Sequence, residues 1–159
     1  MRTVSADPEL RLQHALETAH RYLNHRDRTV AEVRRQLESR RVEPGTIDQC
    51  VAVLEEQGYL DDTRYARLFA EDRRRLDGWG AERIERRLRH YGVPPEQIAT
   101  TLEELGPADE LTAALEVLRA RLHGPPSDDR ERERALALLV RRGYELDVAY
   151  DAVRAFGRT

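Results

Sequence analysis

Apolar residues along this chain recur at three- and four-residue steps, and the resulting blocks themselves recur. Ile84 and Leu88 stand one helical turn apart, and Ile98, Leu102 and Leu105 follow at the spacing of a second helix. Moving back 51 residues, the same positions hold Val33, Leu37, Ile47, Val51 and Leu54. Moving forward 51, they hold Leu139, Val153 and Phe156. The interruptions shift with them: Gly92 lands on Gly143, and Val42, Val93 and Tyr144 form one column. A fixed period of this length over apolar positions and breakers predicts a helical-repeat architecture, each unit burying its apolar face against its neighbours.

Capping and breaking residues bound the predicted helices. Pro8 opens one that runs to Asn24. Thr29-Val30-Ala31-Glu32 is a capping box and starts a second, ending near Arg41. Pro44 opens a third, which Gly58 ends, and Asp61 or Asp62 caps the next. The Gly78-Trp79-Gly80 turn separates a helix over 61–76 from one over 81–91. Pro94 and Pro95 open an acidic helix, and Pro107 one that reaches His123. Two more run from about Asp128 to Arg142 and from Leu146 to Phe156. The expected fold is all-α: a tandem array of three three-helix repeats, elongated and curved. Residues 1–7 are expected to be disordered, the repeats to span 8–60, 61–106 and 107–159, and the loop 124–129 to be flexible.

Composition adds a polar surface. Of 159 residues, 36% are charged and 40% hydrophobic, with a net charge of −3. That small sum hides alternation along the repeat. Residues 26–41 carry six arginines and three acids, whereas 43–62 carry six acids and no arginine. Residues 64–89 carry nine arginines against five acids, 96–116 six acids and no arginine, and 119–142 seven arginines against four acids. Stacked repeats turn such alternation into basic and acidic stripes. Lysine is absent, as codon bias produces. Cys50 stands alone, which excludes an internal disulfide. No stretch is long and apolar enough to span a membrane, so a cytoplasmic protein is expected.

At this point four motifs in order resemble the RecX family of recombination regulators. They are Arg26-Asp27-Arg28-Thr29 with Glu32-Val33-Arg34 and Leu37; Gly58-Tyr59-Leu60-Asp61-Asp62 with Arg64-Tyr65-Ala66; Gly78-Trp79-Gly80 with Arg83-Ile84 and Leu88; and Leu139-Val140-Arg141-Arg142-Gly143-Tyr144. The likeness covers residues 8–157. Asp77 departs from it, since that position is often basic in the family. The resemblance implies a regulatory protein that binds the RecA recombinase and its filament on single-stranded DNA. It further implies inhibition of filament growth, strand exchange and co-protease activity, and thereby modulation of recombination, DNA repair and the SOS response. It implies no enzyme activity and no cofactor. The alternative reading is a helical-repeat DNA-binding protein acting independently of RecA. A monomer with weak direct DNA contact is expected.

The candidate contacts to an acidic RecA surface or to DNA phosphates are Arg26, Arg28, Arg34, Arg35, Arg64, Arg67, Arg73, Arg74, Arg83, Arg86 and Arg87, because guanidinium pairs bidentately with carboxylate and phosphate. Several of them could instead pair along their own helices with Glu32, Glu38, Asp72, Glu82 or Glu85. Trp79 could meet the partner, stack on a base or belong to the core. Gly58, Tyr59, Leu60, Asp61 and Asp62 read as structural, with Tyr59 and Leu60 packed between the first and second repeats. Tyr144 reads as core. The five histidines lack metal-ligand spacing, and the serines lack any triad-like setting.

Overall fold

A computed structural model describes residues 7–158; the expectation of disorder for residues 1–7 lies outside them, apart from Asp7. Among the described residues there are nine helices and no strand. They are α1 Pro8–Leu23, α2 Val30–Ser39, α3 Pro44–Glu56, α4 Asp62–Asp77, α5 Ala81–His90, α6 Pro95–Leu105, α7 Pro107–Arg121, α8 Asp129–Arg141 and α9 Leu146–Phe156. The period holds at the level of single residues. α2 and α5 begin and end 51 positions apart, and α3, α6 and α9 begin at Pro44, Pro95 and Leu146.

The chain divides into two compact units. The first runs to Tyr65 and takes back Tyr91–Pro94. Here α1 packs across α2 and α3, and Ala15, Ala19, Val33, Leu37, Cys50 and Leu54 are shut off from water. Each buried leucine of this kind contributes roughly 2 kcal/mol. Burial also pushes the Cys50 thiol up to about 11. The second unit holds Ala66–His90 and everything from Pro95 on. In it α9 packs on α7 and α8 around Ala114, Leu118, Leu139 and Tyr144, while α5 packs on α6. α4 buries Ala66 and Ala70, the counterparts of Ala15 and Ala19, but packs on α6 far less than α1 does on α3 or α7 on α9.

One turn ends each second helix. Arg41, Gly92 and Gly143, again 51 apart, all sit in the left-handed region, with φ of 61°, 83° and 97°. The following amide reaches back to the last turn: Val42 N–H donates to Leu37 O and Tyr144 N–H to Leu139 O, both at 3.1 Å. This is the helix-terminating geometry that favours glycine. The two glycines have a second reason to lack a side chain. A Cβ on Gly92 would stand 2.3 Å from the Ala31 Cβ, and one on Gly143 the same distance from the Arg83 Cβ.

Candidate interaction surface

Five of the eleven candidate arginines lie on the second helices α2 and α5, and the start of each of these two helices is held by the next repeat. At α2, Thr29 caps its own helix: its hydroxyl accepts from Glu32 N–H and the Glu32 carboxylate accepts from Thr29 N–H, both at 3.2 Å. The Thr29 hydroxyl also donates to Tyr91 O at 2.6 Å. A carboxylate from the next repeat completes the cap, Asp62 accepting from Val30 N–H at 3.0 Å. At α5 the equivalent positions behave alike. Gly80 N–H donates to Arg142 O at 2.8 Å, and Glu110 accepts from Ala81 N–H at 2.7 Å. Burial raises the pKa of both Asp62 and Glu110. The Val30 N–H opposes the shift at Asp62, and Arg74 with the Ala81 N–H opposes it at Glu110.

Several candidate arginines are taken up by these joints. Arg26 and Arg28 converge on the nearly buried carboxylate of Glu32, at 2.6 and 3.6 Å, and Arg28 also lies over the Tyr22 ring at 3.9 Å. Arg74 grips both oxygens of Glu110 and donates to Trp79 O. Arg73 pairs with Asp77, and Arg64 with the Gly58 carbonyl at 2.9 Å. Arg34 pairs with Asp48 at 2.7 Å, a contact open to water and of little energetic weight. Trp79 is partly buried. Arg83 lies over its ring at 4.2 Å, Arg73 at 5.9 Å, and Phe69 meets it edge-on. Much of that ring is therefore already covered.

Arg35, Arg67, Arg86 and Arg87 remain exposed with no hydrogen bond or ion pair among the described residues. Arg35 and Arg86 are the same position of successive repeats, 51 residues apart, on α2 and α5. Buried Val33 and Leu37 on the one helix, and Ile84 and Leu88 on the other, turn these two arginines outward.

The glycine-tyrosine motif divides. Gly58 takes a left-handed turn at φ 80°, Leu60 is 2% exposed, and Asp61 caps α4 through Arg64 N–H at 3.0 Å. Tyr59 corrects the expectation that it packs between the first and second repeats. It is 55% exposed, with its ring edge-on to His20, because the left-handed turn sends Leu60 inward and Tyr59 out. Asp62 caps α2 rather than its own helix. Tyr144 is core, and its hydroxyl donates to Gly78 O at 2.8 Å. The sequence reading missed Glu110, which carries no local signal: its partners stand 29 and 36 residues away. No group of three potential metal ligands occurs among the described residues, and no described helix is long and apolar enough to cross a membrane.

Known proteins share this pattern. The family model for the first three-helix domain of RecX matches residues 15–54, and that for the second three-helix domain matches residues 61–102. A regulatory protein RecX of Trichlorobacter lovleyi is 37% identical over 133 residues, spanning 80% of this chain and 86% of that one. Another, of Mycolicibacterium smegmatis, is 33% identical over 153 residues, spanning 92% and 81%. The crystal structure of RecX from Lactobacillus salivarius superposes with a TM-score of 0.83 over 95% of this chain and 99% of that one. At 15% identity this last likeness speaks for the fold alone.

Proposed function

The chain belongs to the RecX family of regulatory proteins, and from that premise we propose that it binds the RecA recombinase and its filament on single-stranded DNA. Binding inhibits filament growth, strand exchange and co-protease activity. The observation that carries the reading is the repeated, unpaired arginine at Arg35 and Arg86, extended by Arg87. A guanidinium that spends no bonding capacity inside its own repeat is free for carboxylates on a partner. Two such positions on successive repeats suit a partner that is itself repetitive, because separately weak contacts then combine.

The test is ATP hydrolysis by a RecA filament on single-stranded DNA, with this protein titrated from well below to above one copy per RecA subunit. Inhibition at substoichiometric ratios, with weak binding to bare DNA, is expected. No inhibition at excess overturns the proposal. Tight binding to bare DNA in that case, with a steep salt dependence, favours the DNA-binding alternative.

A further inference from the structure

The start of α5 has no cap of its own. Its N-cap position is Gly80, which offers no side-chain acceptor, whereas the same position of α2 is Thr29 with a complete capping box. Helix starts leave their first amides without intrahelical partners. At α5 three of them are met by the third repeat: Gly80 N–H by Arg142 O at 2.8 Å, Ala81 N–H by Glu110, and Glu82 N–H by Gly143 O at 3.0 Å. Arg142 adds a bond to Asp77 O and Tyr144 one to Gly78 O, so the whole Gly78-Trp79-Gly80 turn is held from the same side. Gly80 cannot gain a side chain while this joint is made. A Cβ there would stand 2.5 Å from the backbone of Gly143.

We infer that the third repeat is the N-terminal cap of α5, and that Glu110 is a positioning residue setting the register in which α5 presents Arg83, Arg86 and Arg87. α8, the second helix of the third repeat, supplies its own cap, Asp128 accepting from Glu131 N–H at 2.8 Å and Glu131 accepting from Ser127 N–H at 2.7 Å. The contrast locates the dependence at α5. Among the three second helices only α5 gives up self-capping, and it does so at a glycine the joint requires. Glu110 is further tied to Arg74, so the carboxylate joins the end of α4, the start of α5 and α7 in one contact.

The activity arm of the test rests on the proposed function; the structural arm does not. Amide exchange in the full-length Glu110→Ala protein is expected to speed up at Ala81 on the order of tenfold, the loss of one hydrogen bond to a charged acceptor. Emission from Trp79, the one tryptophan, shifts to the red as its carbonyl and ring lose their neighbours. Glu110→Gln, whose amide oxygen can still accept from Ala81 N–H, restores most of the protection there. Inhibition of RecA falls in Glu110→Ala and recovers in Glu110→Gln. Should Glu110→Ala fail to fold, Gly80→Ser carries the same test. Its new hydroxyl caps α5 from within but displaces Gly143, so helicity is kept while Glu82 exchange quickens and Trp79 emission moves. Unchanged exchange at 80–82 in both variants overturns the capping role. Faster exchange with undiminished inhibition overturns the positioning role. A wild-type protein that leaves RecA unaffected overturns the functional reading instead, and exchange at Ala81 then still decides the cap.

Discussion

The hydroxyl of Thr29 donates to the carbonyl oxygen of Tyr91 across 62 residues of chain, at 2.6 Å. The same hydroxyl accepts from Glu32 N–H, so one side chain both starts α2 and receives the next repeat. Thr29→Val keeps shape and removes both bonds. It is expected to lower stability by about 2 kcal/mol, read by urea unfolding, with Thr29→Ser close to wild type.

The three left-handed positions should answer substitution differently. Gly92→Ala and Gly143→Ala combine an unfavourable φ with a Cβ pressed against Ala31 or Arg83. Each is expected to cost about 2 kcal/mol or more. Arg41→Gly relieves the same φ with no close neighbour to restore, and should raise stability by about 0.5–1 kcal/mol. Thermal melts of the three proteins rank them.

Asp62 gives a pH signature. Burial raises its pKa above the unfolded value, with the Val30 N–H opposing. The folded state therefore holds its proton more tightly than the unfolded one. The stability this contributes is complete below the ordinary aspartate range and is lost as pH rises through the raised value. Asp62→Asn cannot titrate, yet still accepts from Val30 N–H. Relative to wild type it should be weakest in acid, near about pH 4, and improve toward neutrality. Paired urea titrations across that range would show no such trend if the carboxylate were unshifted.

Tyr144 fills the column occupied by Val42 and Val93 but adds a hydroxyl bonded to Gly78 O at 2.8 Å. Tyr144→Phe keeps the ring in the core and leaves that carbonyl without this donor. A loss of about 1 kcal/mol is expected by denaturant unfolding. The phenol itself is held well above its usual range by burial, so no titration of this residue is expected near neutrality.

Arg35 and Arg86 are expected to separate binding from folding. The double substitution to alanine removes two exposed side chains with no partner among the described residues, and should leave stability within about 0.5 kcal/mol. Retention on immobilised RecA filaments should fall roughly tenfold or more, since charge-assisted contacts are lost at two repeats. Arg34→Ala, which breaks only the exposed pair with Asp48, is the control expected to change binding less.

What could be read beforehand was whatever lies within one helix or recurs between helices. The period of 51 predicted where α2, α5, α3, α6 and α9 begin, because prolines, glycines and a capping box punctuate each copy in sequence. Tyr144 was placed in the core by its column alone, through Val42 and Val93. Partners of the charged residues were not legible in the same way. Local rules pair Arg74 with an acid three or four residues off, but its carboxylate is Glu110, a contact made only once α7 has docked. Asp62 likewise carries the pattern of a local cap and serves a distant one. The charge tally could not tell Arg26 and Arg28, drawn onto Glu32, from Arg35 and Arg86, left outside.

Arg41 has one more consequence. Gly92 and Gly143 are bare because each turn presses against the second helix of the preceding repeat. Arg41 occupies the same turn but faces water, and there the chain carries one of its bulkiest side chains. Glycine is kept where a neighbouring helix closes in and given up where the turn is open, so the residue at this one column tells a joint from a free surface.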